Sequence, residues 1–97
     1  INKWWSLGKI KIMSDKNLIS GRQIRMARAA LGLRVDDLAK KSGVQWARIQ
    51  KIERNNNVSE GSDDKLLAIK KVFEENGIVF CEKNETHEEF IMVKKEK

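Results

Sequence analysis

The chain has 97 residues but no proline, a single cysteine, a single histidine and an aromatic share of only 6%. Each shortage excludes something. Without proline no missing N–H or ring clash breaks a helix from inside. With 40% apolar and 35% charged residues, the default is a helix-rich globule of one domain. A lone Cys81 cannot form an internal disulfide and suits a reducing compartment, so a cytoplasmic location is expected. Cys81 and His87 are the only thiol and imidazole. A Cys–His nucleophile needs a third, orienting group, and zinc usually takes four ligands, so neither a catalytic residue nor a metal site is expected. In its apolar run Cys81 reads as a small core residue. No glycine-rich phosphate loop is present, and no cofactor is expected. No window approaches the roughly 18 apolar residues of a membrane span. The opening INKWWSLGKIKI is basic and apolar but lacks the small-residue cleavage site of a secretory signal.

What the chain does have is positive charge, unevenly spread. The net charge is +6. Residues 20–55 carry nine Lys or Arg against three acids, whereas residues 56–97 carry seven against ten. A charged helical face is often merely solvated. A polyanion such as DNA, however, responds to the local field, and here the cations cluster in one segment.

That segment holds the most informative stretch, Val35 to Arg54, VDDLAKKSGVQWARIQKIER. Leu38, Val44, Ile49 and Ile52 mark a buried side across two helices, about Val35–Ser42 and about Gln45–Arg54. Ala39 is small enough for close helix crossing, and Gly43 supplies the positive φ of a sharp turn. Trp46, Ala47, Gln50 and Lys51 point elsewhere. A helix pair with a short glycine turn and a basic outer face is a way to set a helix in the major groove.

Before it, Ser20-Gly21-Arg22-Gln23 has the form of a capping box, opening a helix that ends near Gly32. Ile24, Ala27, Arg28 and Leu31 share its inner face. Arg28 is a guanidinium among apolar neighbours and needs a partner, for which Glu53 is the candidate; the pair reads as structural. After the loop NNNVSEGS, Ser62 can cap a fourth helix whose stripe is Leu66, Ile69, Lys70 and Phe73, ended by Asn76-Gly77. The runs IVFC (78–81) and FIMV (90–93) read as a β-hairpin with a long acidic connection. Residues 1–19 follow no clear period. Met13 opens a segment that reads like a natural start, which makes residues 1–12 an upstream extension; the alternative is a basic arm lying along DNA or a partner.

The segment RQIRMARAALGLRVDDLAKKSGVQWARIQKIERN is similar to the XRE-type helix-turn-helix domain of phage repressors and small bacterial regulators. The resemblance covers roughly Ile19–Gly77 and is carried by Arg28, Leu31-Gly32-Leu33, Asp37-Leu38-Ala39, Gly43-Val44 and Ile49 through Arg54. It implies a compact bundle of four or five helices, a buried Arg28–Glu53 pair, and binding of double-stranded operator DNA as a homodimer. Two departures stand out. Where the family has a Ser or Thr cap followed by Gln at the second helix, this chain has Arg34 and Val35, with Asp36 expected to take over the cap. Gln45 replaces the usual Ser or Thr before the third helix, and Trp46 takes the first base-reaching position.

The expected fold is therefore mainly α, a compact four- to five-helix bundle with a helix-turn-helix plus a short C-terminal β-hairpin. Its parts are an arm (1–19), the DNA-binding domain (20–77) and a hairpin (78–97) that can serve dimerisation. The expected function is a sequence-specific transcriptional regulator. In it Lys51 donates to guanine, Arg48 and Arg34 meet phosphate, and Gln45 binds phosphate near the helix start. Trp46 and Ala47 give apolar contact, Gln50 belongs to the same face, and Asn55, Asn56 and Asn57 touch the backbone beyond the helix. The rival is a protein-interaction module of the same fold, such as an antitoxin-type protein, which uses Trp46 or the β tail against a protein partner.

Overall fold

Local chemistry sets each helix end. In the computed structural model, which describes residues 12–13, 19–56, 64–83 and 87–95, α1 spans Gly21–Leu31. The Ser20 hydroxyl accepts from the Gln23 N–H at 3.0 Å and Gln23 Oε1 accepts from the Ser20 N–H at 2.9 Å, a complete capping box. Gly32 then closes α1 as its C-cap.

α2 spans Val35–Ser42. Its start corrects one expectation: Asp37, not Asp36, serves the cap. The Asp37 carboxylate accepts from the Arg34 N–H at 3.0 Å, because the third helical position is the one that reaches back to the N-cap. The Arg34 guanidinium has no acceptor with which to return the bond. Asp36 instead lies 3.8 Å from Arg34 in an exposed ion pair, an arrangement worth little. Gly43, at φ 75°, turns the chain, and its N–H donates to Ala39 O at 2.9 Å. A side chain is strained in that left-handed conformation, so glycine suits the turn. The Ser42 hydroxyl tightens it further, donating to Leu38 O and accepting from the Val44 N–H.

α3 spans Trp46–Glu53, with Gln45 and Arg54 as its caps, and α4 spans Asp64–Glu75. Among the described residues there are four helices, the lower of the expected numbers. Ser62 lies outside the described residues. α4 ends where the Asn76 side-chain amide donates to Val72 O at 2.7 Å. Two strands follow, β1 (Ile78–Cys81) and β2 (Phe90–Val93), paired antiparallel with Ile78 opposite Val93 and Cys81 opposite Phe90.

The buried apolar side chains form one cluster that draws on every element but β2, which adds Ile91 at its margin. Leu38, Val44 and Ile49 join α2 to α3, and Leu66, Ile69 and Phe73 present α4's stripe, with Lys70 buried beside them. Phe73 meets Phe80 edge to face with ring centroids 6.1 Å apart, seating β1 on α4. Two approaches have no local cause. A Cβ on Gly21 would lie 2.1–2.2 Å from the carbonyl oxygens of Asn55 and Ile52, so only glycine lets α1 start against the end of α3. The segment around Met13 also reaches the hairpin. Met13 is buried, its N–H donates to Phe80 O at 2.9 Å, and Ile12 forms an antiparallel bridge with Cys81.

Candidate nucleic-acid interface

The face in question begins with the eight residues of α3. Ile49, Ile52 and Glu53 are buried, while Trp46, Ala47, Arg48 and Lys51 are exposed and Gln50 is half-buried. At roughly 100° per residue, the outward arc runs from Trp46 through Gln50, Arg54, Ala47 and Lys51 to Arg48. Lys51 and Ala47 thus stand near its middle, with Trp46 and Arg48 on opposite flanks. Trp46 is 48% exposed, much for so large an apolar ring. Gln45 caps α3 with extended backbone and without a side-chain hydrogen bond to the helix.

What holds this helix still is a charge pair beneath it. Arg28 Nε and Nη2 donate to Glu53 Oε2 and Oε1, each at 2.8 Å, in a bidentate fork from α1 to the last turn of α3. The hydrogen bond to Glu53 raises the Arg28 pKa further above its ordinary value, against the opposing effect of burial. Arg28 Nη1 also donates to Leu33 O at 3.2 Å, so one guanidinium ties the end of α1 to α3.

Arg25 is a residue that the sequence reading passed over. One turn before Arg28 on α1, it donates to Glu53 O and to the side-chain oxygen of Asn56. A shared face at three-residue spacing with Arg28 was the available signal. Its consequence is chemical. With Arg25 on Oδ1 of Asn56, the two N–H donors of that amide suit an acceptor such as a phosphate. Arg25, Arg28, Val35, Gln50, Glu53 and Arg54 together line an open cleft of about 320 Å³ at the junction of α1, α2 and α3. Three guanidinium groups there stand against one carboxylate, which Arg28 already engages.

The structure therefore brings Gln45, Trp46, Ala47, Gln50 and Lys51 onto one surface, with Arg48 at its flank and exposed Asn55 and Asn56 just beyond the helix. Arg34 is exposed at the head of α2, next in sequence to Val35 of the cleft. Asn57 lies outside the described residues. Elsewhere the chemistry is quiet. Burial pushes the Cys81 thiol up to about 11, the opposite direction from an activated nucleophile. Among the described residues no group of three or more His, Cys, Asp or Glu is placed to hold a metal ion, and no helix is long and apolar enough to cross a membrane.

No protein-family model matches the chain, and no curated protein matches it either. A functional assignment therefore rests on the residues and their geometry.

Proposed function

We propose that this chain is a DNA-binding transcriptional regulator in which α2 and α3 act as a helix-turn-helix and α3 enters the major groove. The observation that carries the reading is the coincidence of the most basic part of the chain with an outward helix face whose inner side is pinned by Arg28 and Glu53. A rigid helix offering Lys51 and Ala47 at its centre, with Gln50 toward the Trp46 side, suits base edges, and flanking Arg48, Arg34 and Gln45 suit the phosphate rows on either side. Trp46 adds a broad apolar surface of the kind that packs on thymine methyl groups but cannot make a bidentate base contact. The similarity to XRE-type regulators quoted above supports the same reading, which places the protein in the cytoplasm with its DNA.

Fluorescence anisotropy on random and selected duplexes, from low to physiological salt, tests it. Affinity is expected to fall steeply as salt rises, because each neutralised phosphate releases counterions. Lys51→Ala should relax preference at one base pair by ~1–3 kcal/mol, whereas Arg48→Ala should weaken all sequences about equally. Binding that stays undetectable on a selected library would sink the DNA reading. Exposed Trp46 would then favour the rival, a module that uses the same face against a protein.

A further inference from the structure

The two edges of the hairpin are used unequally. The Lys94 N–H donates to Gly77 O at 2.8 Å, which makes 77 and 94 a hydrogen-bonded pair. Along an antiparallel ladder such pairs alternate, so Phe80/Ile91 and Ile78/Val93 are the intervening pairs, whose main-chain groups point away from the partner strand. On the β1 side that outward row is occupied, since Phe80 O accepts from Met13 and Cys81 bridges Ile12. On the β2 side the outward groups belong to Ile91 and Val93, and no described residue hydrogen-bonds to them. Val93 is also 52% exposed, and Phe90, Ile91 and Met92 are only half-buried. An open, apolar strand edge invites another strand.

The order of charges along this edge says which strand. Glu88 and Glu89 precede β2, and Lys94 and Lys95 follow it. A strand acidic at one end and basic at the other is complementary to itself when reversed. The geometry points to a second copy of this chain as the occupant, with β2 pairing antiparallel to β2 about a twofold axis through Met92. Directly opposite residues share a sheet face, so the axis must pass through a residue and not between two. An axis at Ile91 would set Val93 against Glu89. An axis at Met92 sets Ile91 against Val93 twice, Met92 against Met92, and Glu89 against Lys95 at both ends, with Phe90 beside the aliphatic stem of Lys94 between them. The outward groups of Ile91 and Val93 then exchange their hydrogen bonds, and the two hairpins become one four-stranded sheet. This assembly does not rest on the DNA-binding reading and would stand if that reading failed.

Light scattering on the full chain at tens of micromolar should give twice the chain mass; a monomer there overturns the proposal. Met92 is its own neighbour in a non-hydrogen-bonded pair, where Cα atoms lie roughly 4.5 Å apart, within disulfide range. Met92→Cys should therefore cross-link into a disulfide-bonded dimer under mild oxidation while the wild type, with Cys81 buried, does not. A dimeric chain in which Met92→Cys stays uncross-linked has its interface elsewhere, which also overturns the assignment. Glu89→Lys should weaken the dimer roughly tenfold by placing like charges opposite each other, and Glu89→Lys with Lys95→Glu should restore it. Six residues apart on one strand, these two side chains can rescue each other only between copies. Failure of the rescue would overturn the register.

Discussion

Two polar side chains clamp α1, one at each end, by opposite means. At its start Gln23 is fully buried and neutral. Its Oε1 accepts from the Ser20 N–H, and its Nε2 donates to Cys81 O at 3.0 Å and Phe90 O at 2.9 Å, so one amide caps the helix and holds the last pair of the hairpin. Near its end Arg28 is 24% exposed and charged, and it holds α3 through Glu53. The difference follows from desolvation. A neutral amide with its donors and acceptor met can be sealed from water at modest cost, whereas an ion pair at full burial loses more solvation than it regains. The charged clamp sits where water reaches one partner. The neutral clamp sits where none does.

Breaking the charged clamp should have the larger effect. Arg28→Ala leaves the Glu53 carboxylate buried without its fork, and the expected loss is about 3 kcal/mol, the low end for a buried pair because Arg28 is partly wet. A thermal melt reads it, and a midpoint within a degree or two of wild type would contradict it. Arg28→Lys should recover only part of the loss, since an ammonium cannot make both bonds of the fork.

Gln23→Met keeps volume and apolar contact but removes the amide. Cys81 O, Phe90 O and the Ser20 N–H each lose a partner, and the expected cost is about 2 kcal/mol. Hydrogen exchange locates the damage: protection should fall in the hairpin before it falls in α3. Equal loss in both would show that the two clamps act as one.

The smallest effect separates the clamps by pH. Cys81 lies at the Gln23 junction, and burial pushes its thiol up to about 11 from an ordinary 9.0. The folded state thus holds the thiol proton more tightly than the unfolded state. That contribution is complete below pH 9 and is lost as pH rises from 9 through 11. Urea midpoints should drop over this range in the wild type and drop less in Cys81→Ala. The Arg28 clamp stays charged throughout, because its pKa is raised from a value already above the window. An identical alkaline drop in both proteins would remove Cys81 from the explanation.

How legible these features were depends on how far along the chain their causes lie. The capping box at Ser20 and Gln23, the ends at Gly32 and Gly43, and the strands IVFC and FIMV were readable because each cause sits within a few residues of its effect. The outward face of α3 was readable for the same reason: Ile49 and Ile52 take the inner positions and leave Ala47, Lys51 and Trp46 outside. Arg28 among apolar neighbours asked for a partner, and the structure supplies Glu53. The cap of α2 was misread by one position, since two adjacent aspartates look alike in sequence and only backbone geometry separates Asp36 from Asp37.

By itself, then, the sequence determined the helices, the closing ends of α1 and α2 and the side each helix buries, because hydrophobic period, capping and left-handed glycines act over a single turn. Only tertiary structure decided what Gln23 does with its amide, why Gly21 can carry no side chain, that Arg25 engages Asn56, and that Met13 closes one edge of the hairpin while no described residue pairs with the other. Each of these joins segments about 30 residues apart or more. The partner there is chosen by which surfaces the packed core leaves adjacent, and no local rule carries that information.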